Sequence, residues 1–154
     1  METNGKQGRD QPPDDRRFEE AALKDGIVFF DGECNLCNNV VDFILRYDRK
    51  HRIRFASLQS PRAQAFFAGS DINPQSSGTL VFVRDGQLLV QSEAVLEICR
   101  ELRAPWRWLR FFSVLPRRLR DALYRFIAAR RYKWFGQRAS CRQPSPAEKD
   151  RFLG

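Results

Sequence analysis

Residues 27–48 read IVFFDGECNLCNNVVDFILRYD, and this stretch decides the fold. Its first four residues are apolar and predict a buried strand that ends at Asp31-Gly32. A helix is expected from about residue 35 to residue 50, because apolar side chains recur there with a helical period, at positions 37, 40, 41, 44 and 45. Cys34 therefore lies at or before the first helical turn, whereas Cys37 belongs to the stripe that the helix buries.

The elements that follow complete a mixed sheet. A second strand is predicted at 53–58, a short helix at 62–68, a hairpin of two strands at 79–83 and 88–90, and a helix at 93–102 with Ser92 as its N-cap. The order β-α-β-α-β-β-α requires one parallel pair with a right-handed crossover and one antiparallel hairpin. The predicted class is α/β, a thioredoxin-like four-stranded mixed sheet flanked by helices.

Three parts of the chain differ in composition. Residues 1–24 are polar and predict a flexible tail, residues 25–103 hold the thioredoxin-like core, and residues 104–154 form a basic, aromatic helical extension. Two further helices are expected there, at 106–114 and 116–135. The second carries an apolar face that we expect to pack on the core, formed by Leu119, Ala122, Leu123, Phe126 and Ile127.

Length and composition limit the class of protein. A chain of 154 residues with 42% apolar side chains forms a globular domain with a core of its own. It has no apolar run long enough for a membrane span, and its first residues lack the apolar stretch of a signal peptide. Four cysteines in such a chain argue against a disulfide scaffold, so we expect a cytoplasmic, reducing location.

The formal net charge of +8 is concentrated in one part of the chain. Residues 100–142 hold 13 Lys and Arg against two Asp and Glu, a balance of +11, so the other residues together carry −3. A basic face of this kind attracts nucleic acid, anionic lipid or acidic ligands. A solvated, arginine-rich helix surface has the same composition, so charge alone selects no partner.

Several stretches together resemble the DCC family of thiol-disulfide oxidoreductases. The motif is DGECNLC at 31–37 after an apolar strand, and the family is named for its Asp and two Cys. SEAVL at 92–96, YRFIAARRYKWFG at 124–136 and CRQPSPAEKDRFL at 141–153 are similar to its later segments. The resemblance covers about residues 26–153. It implies a thioredoxin-like fold and dithiol chemistry. We expect no cofactor.

Dithiol chemistry needs one accessible thiolate that attacks a disulfide and a second thiol that resolves the mixed disulfide. Cys34 fits the first role, because the N-terminus of a helix favours a thiolate there, and Cys37 fits the second. Asp31 and Glu33 oppose the thiolate by their negative charge. The hypothesis requires the sulfur of Cys34 to be open to solvent and that of Cys37 to lie beneath it. A disulfide-containing protein or a low-molecular-weight thiol would be the partner.

Asp31 completes the predicted catalytic set with two alternative roles. It either transfers a proton to or from Cys37 or closes the strand as an Asx-turn. The predicted substrate-binding residues are Gly32 and Glu33 in the motif, Thr79 and Ser92. Thr79 ends the stretch Ser77-Gly78-Thr79, which stands where thioredoxins place a cis-proline, and Ser92 lies at a helix N-terminus that suits a carboxylate.

Three other functions are alternatives to dithiol chemistry. Zinc binding would need a second close pair of ligands, and Cys99 and Cys141 are lone cysteines, so we predict no metal site. Asp-Gly-Glu after an apolar strand superficially resembles the D-x-D loop of haloacid-dehalogenase-type phosphatases. A non-enzymatic binding module could use the basic, aromatic C-terminal helices at an anionic membrane surface or a nucleic acid, although no nucleic-acid partner is predicted.

Overall fold

A four-stranded mixed sheet forms the centre of the computed structural model, which describes residues 13–71, 73, 80–140 and 142–153. The strands are β1 Ile27–Phe30, β2 Arg54–Ser57, β3 Val81–Arg84 and β4 Gln87–Val90, in the order β2-β1-β3-β4. β1 is parallel to β2 and antiparallel to β3, and β3 and β4 form the predicted hairpin. The predicted α/β class and mixed sheet are confirmed.

Helices lie on both faces of this sheet. They are α1 Pro13–Glu20 with a π-helical turn at Ala21–Asp25, α2 Asn35–Tyr47, α3 Pro61–Phe67, α4 Gln91–Glu101 and α5 Arg117–Phe135, and 3₁₀ segments run over Trp106–Val114 and Lys149–Arg151. None of the helices in the described part of the chain is both long enough and apolar enough to cross a membrane.

The alternation of side chains along β1 divides the core in two. Val28 and Phe30 pack in a cluster with side chains of α2 and α4, and Ile27 and Phe29 pack in a second cluster with α1 and α3. All four side chains are buried, so β1 is a central strand. Its carboxyl end leads directly into the cysteine motif.

The prediction of a flexible tail over residues 1–24 is corrected for the described part of that segment. Residues 13–25 are helical, and Phe18, Ala21 and Ala22 are buried against the sheet. The ring of Phe18 contacts those of Phe29 and Phe66. Phe18, Ala21 and Ala22 are spaced i, i+3 and i+4, which is a helical pattern, but most of the residues before and between them are polar.

The C-terminal extension packs on the core, but with a different face of α5 than the sequence predicted. α5 contacts α2 and α4, whereas the apolar side chains expected to face inward are exposed, with Leu119 and Leu123 at 56% and 61%. The side chains of α5 that line the cavity beside Cys37 are Tyr124, Ala128 and Arg131, together with Ile127, the one member of the predicted face that lies there, which is itself 37% exposed. The apolar stripe of α5 is thus a surface feature.

The last described residues lie beside the edge strand β2. Phe152 pairs with Phe55 in an isolated parallel bridge, and the Leu153 N–H donates to the Phe55 carbonyl at 2.8 Å. Arg151 is buried and holds Asp48 at 2.5 Å. This segment therefore covers part of an otherwise open sheet edge.

Candidate functional site

The two cysteines of the motif lie at the N-terminus of α2, which follows a short turn after the end of β1. Cys34 is the N-cap residue, and its Sγ accepts a hydrogen bond from the Cys37 N–H at 3.4 Å. A sulfur in this position faces the positive end of the helix dipole and an unpaired N–H group, which both favour a negative charge on it. Both cysteines are free thiols.

The exposure of the two thiols is the reverse of the prediction. Cys34 is 0% exposed, and Cys37 is 9% exposed. The expectation that Cys34 is open to solvent is therefore wrong for this conformation. The reason is a piece of chain whose place beside the motif no sequence pattern indicates.

That piece is residues 136–138, called the covering segment below, which follows α5. Gln137 pairs with Cys34 in an antiparallel bridge, and the Arg138 N–H donates to the Glu33 carbonyl at 2.7 Å. The Asn35 N–H donates to the Gly136 carbonyl at 3.4 Å. The covering segment thus pairs with the motif as a short strand would, and it shields Cys34.

Side chains strengthen the same contact. Asn35 donates through Nδ2 to the Phe135 carbonyl at 2.8 Å and accepts from Arg138 Nε at 2.9 Å. Gln137 donates to the Glu33 carboxylate at 3.1 Å. Glu33 and Asn35 therefore hold the covering segment in place.

Asp31 lies beneath the motif at the centre of a buried polar cluster. Its Oδ1 accepts from the Glu33 N–H at 3.0 Å, which forms the predicted Asx-turn, and from Gln59 Nε2 at 2.8 Å. Its Oδ2 accepts from Arg131 at 3.1 Å and from the Tyr132 hydroxyl. The ion pair between Asp31 and Arg131 is inaccessible, with both side chains 8% exposed. α5 is thereby fixed to the end of β1.

Two polar residues hold the motif loop from below. Asn38 is fully buried, and its Nδ2 donates to the carbonyl oxygens of Gly32 and Cys34 at 2.9 and 2.8 Å. Gln59 accepts from the Gly32 N–H at 3.0 Å through Oε1. The backbone on both sides of Cys34 is therefore fixed by side chains as well as by the helix.

The environment of Cys37 makes it the thiol that retains its proton. Burial, its hydrogen bond with Cys34 and the negative charge of Cys34 raise the pKa of Cys37 from 9.0 to about 12, against the opposing effect of Arg131. Cys37 also lines a cavity of about 120 Å³ whose other walls include Leu80, Tyr124 and Arg131. The cavity is almost wholly apolar, and it gives the motif a side that the covering segment does not occupy.

The remaining predicted residues are distributed differently. Gly32 and Glu33 belong to the motif turn, with Glu33 engaged by Gln137. Thr79 and Cys141 lie outside the described residues. Ser92 is not the N-cap: α4 begins at Gln91, with Val90 as its N-cap, and the Ser92 hydroxyl donates to Asp121 on α5.

Two features lie apart from the motif: the cysteine Cys99 and the side chains that could bind a metal. Cys99 is buried on α4, and burial raises its pKa. Within the described part of the chain, no three His, Cys, Asp or Glu side chains cluster as a metal site would need.

Sequence reasoning missed four residues of the site. Asn38 and Gln59 support the motif loop, and Arg131 and Tyr132 hold Asp31. One signal was present in the sequence. Arg131 continues the spacing of Tyr124, Ile127 and Ala128 at i, i+3, i+4 and i+7, so a charged residue stands at the end of an inward stripe. A charge in that position needs a buried partner of opposite sign.

Comparison with known proteins agrees with this geometry. A family model described as DCC1-like thiol-disulfide oxidoreductase matches residues 28–137, a span that contains the motif and Arg131. The uncharacterized protein YuxK of Bacillus subtilis (strain 168) is 43% identical over 127 residues, which are 82% of this chain and 93% of that protein. The DCC family protein At1g52590, chloroplastic, of Arabidopsis thaliana is 39% identical over 125 residues, which are 80% and 72% of the two chains. No solved structure matches.

Proposed function

Because the chain belongs to the DCC1-like thiol-disulfide oxidoreductase family, we propose that Cys34 and Cys37 are its reversible dithiol–disulfide couple. Family membership confirms the resemblance that the sequence carries. The observation that supports the assignment of roles is the hydrogen bond from the Cys37 N–H to Cys34 Sγ at 3.4 Å. It stabilises a thiolate on Cys34, while the pKa of Cys37, raised to about 12, keeps the second thiol protonated.

The reaction follows from these two states. The Cys34 thiolate attacks one sulfur of a substrate disulfide, forms a mixed disulfide and releases the other sulfur as a thiolate. Cys37 then loses its proton and attacks Cys34 Sγ, which forms the Cys34–Cys37 disulfide and releases the second substrate thiolate. Two electrons pass from the protein to the substrate, and a reductant of the thiol class restores the pair. In the opposite direction the same steps oxidise a substrate dithiol.

Access to Cys34 requires the covering segment to move. Cys34 is 0% exposed, so a protein disulfide reaches its sulfur only after the backbone pairing between Gln137 and Cys34 opens. The contacts to be broken are few and lie at the surface, which is where local opening is least costly. The cavity at Cys37 leads to the second thiol only, because Cys34 is not among its lining residues.

Asp31 serves in this proposal as a positioning residue. Its four hydrogen bonds tie the motif turn to Gln59 and to α5, so the carboxylate fixes the place from which Cys34 attacks. The alternative role in proton transfer is separable by experiment. Asp31→Asn retains an acceptor for the Glu33 N–H, so a positioning role leaves the pH profile of exchange unchanged, whereas proton transfer to or from Cys37 predicts a lower rate and a shifted profile.

A redox titration with trapping tests the proposal. The full chain is equilibrated in glutathione buffers of graded potential, and free thiols are counted by alkylation and mass spectrometry. We expect one two-electron transition that Cys34→Ser or Cys37→Ser abolishes and that Cys99→Ser, the matched buried control, leaves intact. Cys37→Ser should accumulate a mixed disulfide on Cys34. Absence of a reversible disulfide would refute the couple, and trapping on Cys37 in a Cys34→Ser variant would reverse the roles.

The location proposed from the sequence, a reducing cytoplasm, would hold the pair largely as the dithiol. Substrates of the class that the family implies are proteins or small molecules with an exchangeable disulfide. Mixed disulfides captured by the Cys37→Ser variant would distinguish these two classes by mass.

A further inference from the structure

Exposed apolar side chains are concentrated on the C-terminal extension. Of the 14 large hydrophobic residues that are exposed in the described part of the chain, 12 lie between residues 108 and 135. The most exposed of them lie on the 3₁₀ segment Trp106–Val114 and on α5: Trp108, Phe111, Phe112, Val114, Leu119 and Leu123. Soluble monomers rarely expose so many large apolar groups together, and patches of this kind mark interaction sites.

These side chains surround a groove. The groove has a volume of about 510 Å³ between α4, the 3₁₀ segment and α5, and its walls are almost entirely apolar, with Leu109, Phe112, Leu115 and Leu123 among them. Val95, Tyr124 and Ile127 line both this groove and the cavity at Cys37. An apolar surface thus runs from the exposed extension toward the thiol pair.

The same surface is strongly basic. Residues 104–135 contain nine Lys and Arg, and Asp121 is their single acidic residue. Arg110 and Arg130 lie over the rings of Phe111 and Phe126, so cations and aromatic groups are interleaved on this face. A second copy of the chain would bring two surfaces of the same charge together. A nucleic acid would satisfy the arginines but leave the apolar groove uncovered, because phosphates contribute most of its binding surface.

We propose that this basic-aromatic face, formed by residues 106–135, docks on an anionic lipid surface. Its Trp, Phe and Leu side chains enter the boundary between headgroups and acyl chains, and its arginines contact lipid phosphates. An anionic bilayer matches both the positive charge and the exposed apolar side chains of this face, because its negative headgroups lie directly above its apolar acyl chains. The inference is independent of the thiol chemistry, although docking would bring the entrance of the Cys37 cavity against the lipid.

Binding of the full chain to vesicles tests the charge complementarity. We expect flotation with vesicles of phosphatidylcholine mixed with phosphatidylserine, little binding to phosphatidylcholine alone, and binding that weakens as salt rises. Arg118→Glu/Arg125→Glu should lower the partition coefficient at least about tenfold. The matched control, Arg16→Glu/Lys24→Glu, makes the same change of charge at exposed residues of α1 and its π-helical turn, on the other face of the sheet, and should lower it less than about twofold.

A fluorescence measurement tests the apolar contact. Trp106→Phe/Trp134→Phe leaves Trp108 as the single tryptophan, and brominated acyl chains should quench it only in anionic vesicles. Phe111→Ser, at an exposed position, should reduce binding without changing the cooperative unfolding transition. The proposal is overturned if Trp108 is not quenched, if the charge-reversed and control variants bind equally, or if the face is occupied instead by a nucleic acid or a second copy of the chain, as retention of either in the vesicle-free protein would reveal.

Discussion

Replacement of Arg131 by Met gives the sharpest test of the buried cluster under the cysteine motif. The substitution removes the cation and retains much of the side-chain volume, so Asp31 keeps three donors, from Glu33, Gln59 and Tyr132. Removing one partner of a buried ion pair costs about 3–5 kcal/mol of unfolding free energy. Because three donors remain, we expect a loss near the lower limit, about 3 kcal/mol.

A double-mutant cycle separates the ion pair from its surroundings. Asp31→Asn alone leaves the Arg131 guanidinium buried without its counter-charge and should cost about 2–3 kcal/mol. The double variant Asp31→Asn/Arg131→Met removes both charges, so its loss should fall short of the sum of the single losses by about 1.5–3 kcal/mol. The assay is urea unfolding of the reduced protein, followed by tryptophan fluorescence and analysed at constant m-value.

A control on the same helix checks that the effect comes from burial. Arg118→Met lies on the exposed side of α5 and should change the unfolding free energy by less than about 0.5 kcal/mol. The reasoning fails if the Asp31 and Arg131 variants each lose less than about 1 kcal/mol, or if their losses are additive within about 0.3 kcal/mol, because either result means that the two groups are not a buried, coupled pair.

Three further predictions follow from other parts of the structure. The pKa of Cys37 is raised from 9.0 to about 12, so the folded protein holds this proton more tightly than the unfolded chain does. The free energy of unfolding is therefore retained below about pH 9 and falls as the pH rises toward 12, with a slope of about 1.4 kcal/mol per pH unit. The variant Cys37→Ala should remove this slope. An unchanged slope in Cys37→Ala, measured by urea unfolding at graded pH, would contradict the assignment. Gly136 has a φ of 80°, and a Cβ there would lie 3.1 Å from Asn35 Nδ2. Gly136→Ala should therefore loosen the covering segment and raise the alkylation rate of Cys34 several-fold, with a loss of about 1 kcal/mol in the free energy of unfolding. Equal alkylation rates in the variant and the parent would show that the segment does not limit access to Cys34. Phe18→Ala should destabilise the protein by about 3 kcal/mol in thermal or urea unfolding, because the side chain is buried against Phe29, whereas a loss below about 0.5 kcal/mol would restore the prediction of a tail.

The fold was readable from the sequence where hydrophobic periods are strong. The run at 27–30, the helix that follows the cysteines and the hairpin around Asp85-Gly86 all have signals that depend on near neighbours in the chain. The position of Cys34 at the helix N-terminus followed from the same local pattern. Short-range physics was sufficient for these elements.

What the sequence could not supply depends on contacts between distant residues. Asp31 and Arg131 are 100 positions apart, and no periodicity in either segment selects the other. The covering of Cys34 involves Gln137, which forms an isolated bridge in the irregular segment after α5. The face of α5 was misassigned for a related reason: its more apolar stripe is the exposed one, and a helical period reports which residues share a face but not which face meets the core.

Helix α5 continues directly into the covering segment, which we infer to act as a gate over Cys34. A helix of 19 residues is about 28 Å long, and Arg131 near its end is tied to Asp31 while residues 136–138 shield the sulfur. Opening that is confined to residues 136–138 breaks surface hydrogen bonds only, whereas displacing the end of the helix would also leave the buried charge of Arg131 unpaired, so we expect the movement to begin after Arg131. We expect the turnover of a large disulfide to reach a ceiling set by gate opening, visible in stopped-flow traces as a rate that stops rising with substrate, whereas a rate that rises linearly throughout would mean that the sulfur is reached without opening.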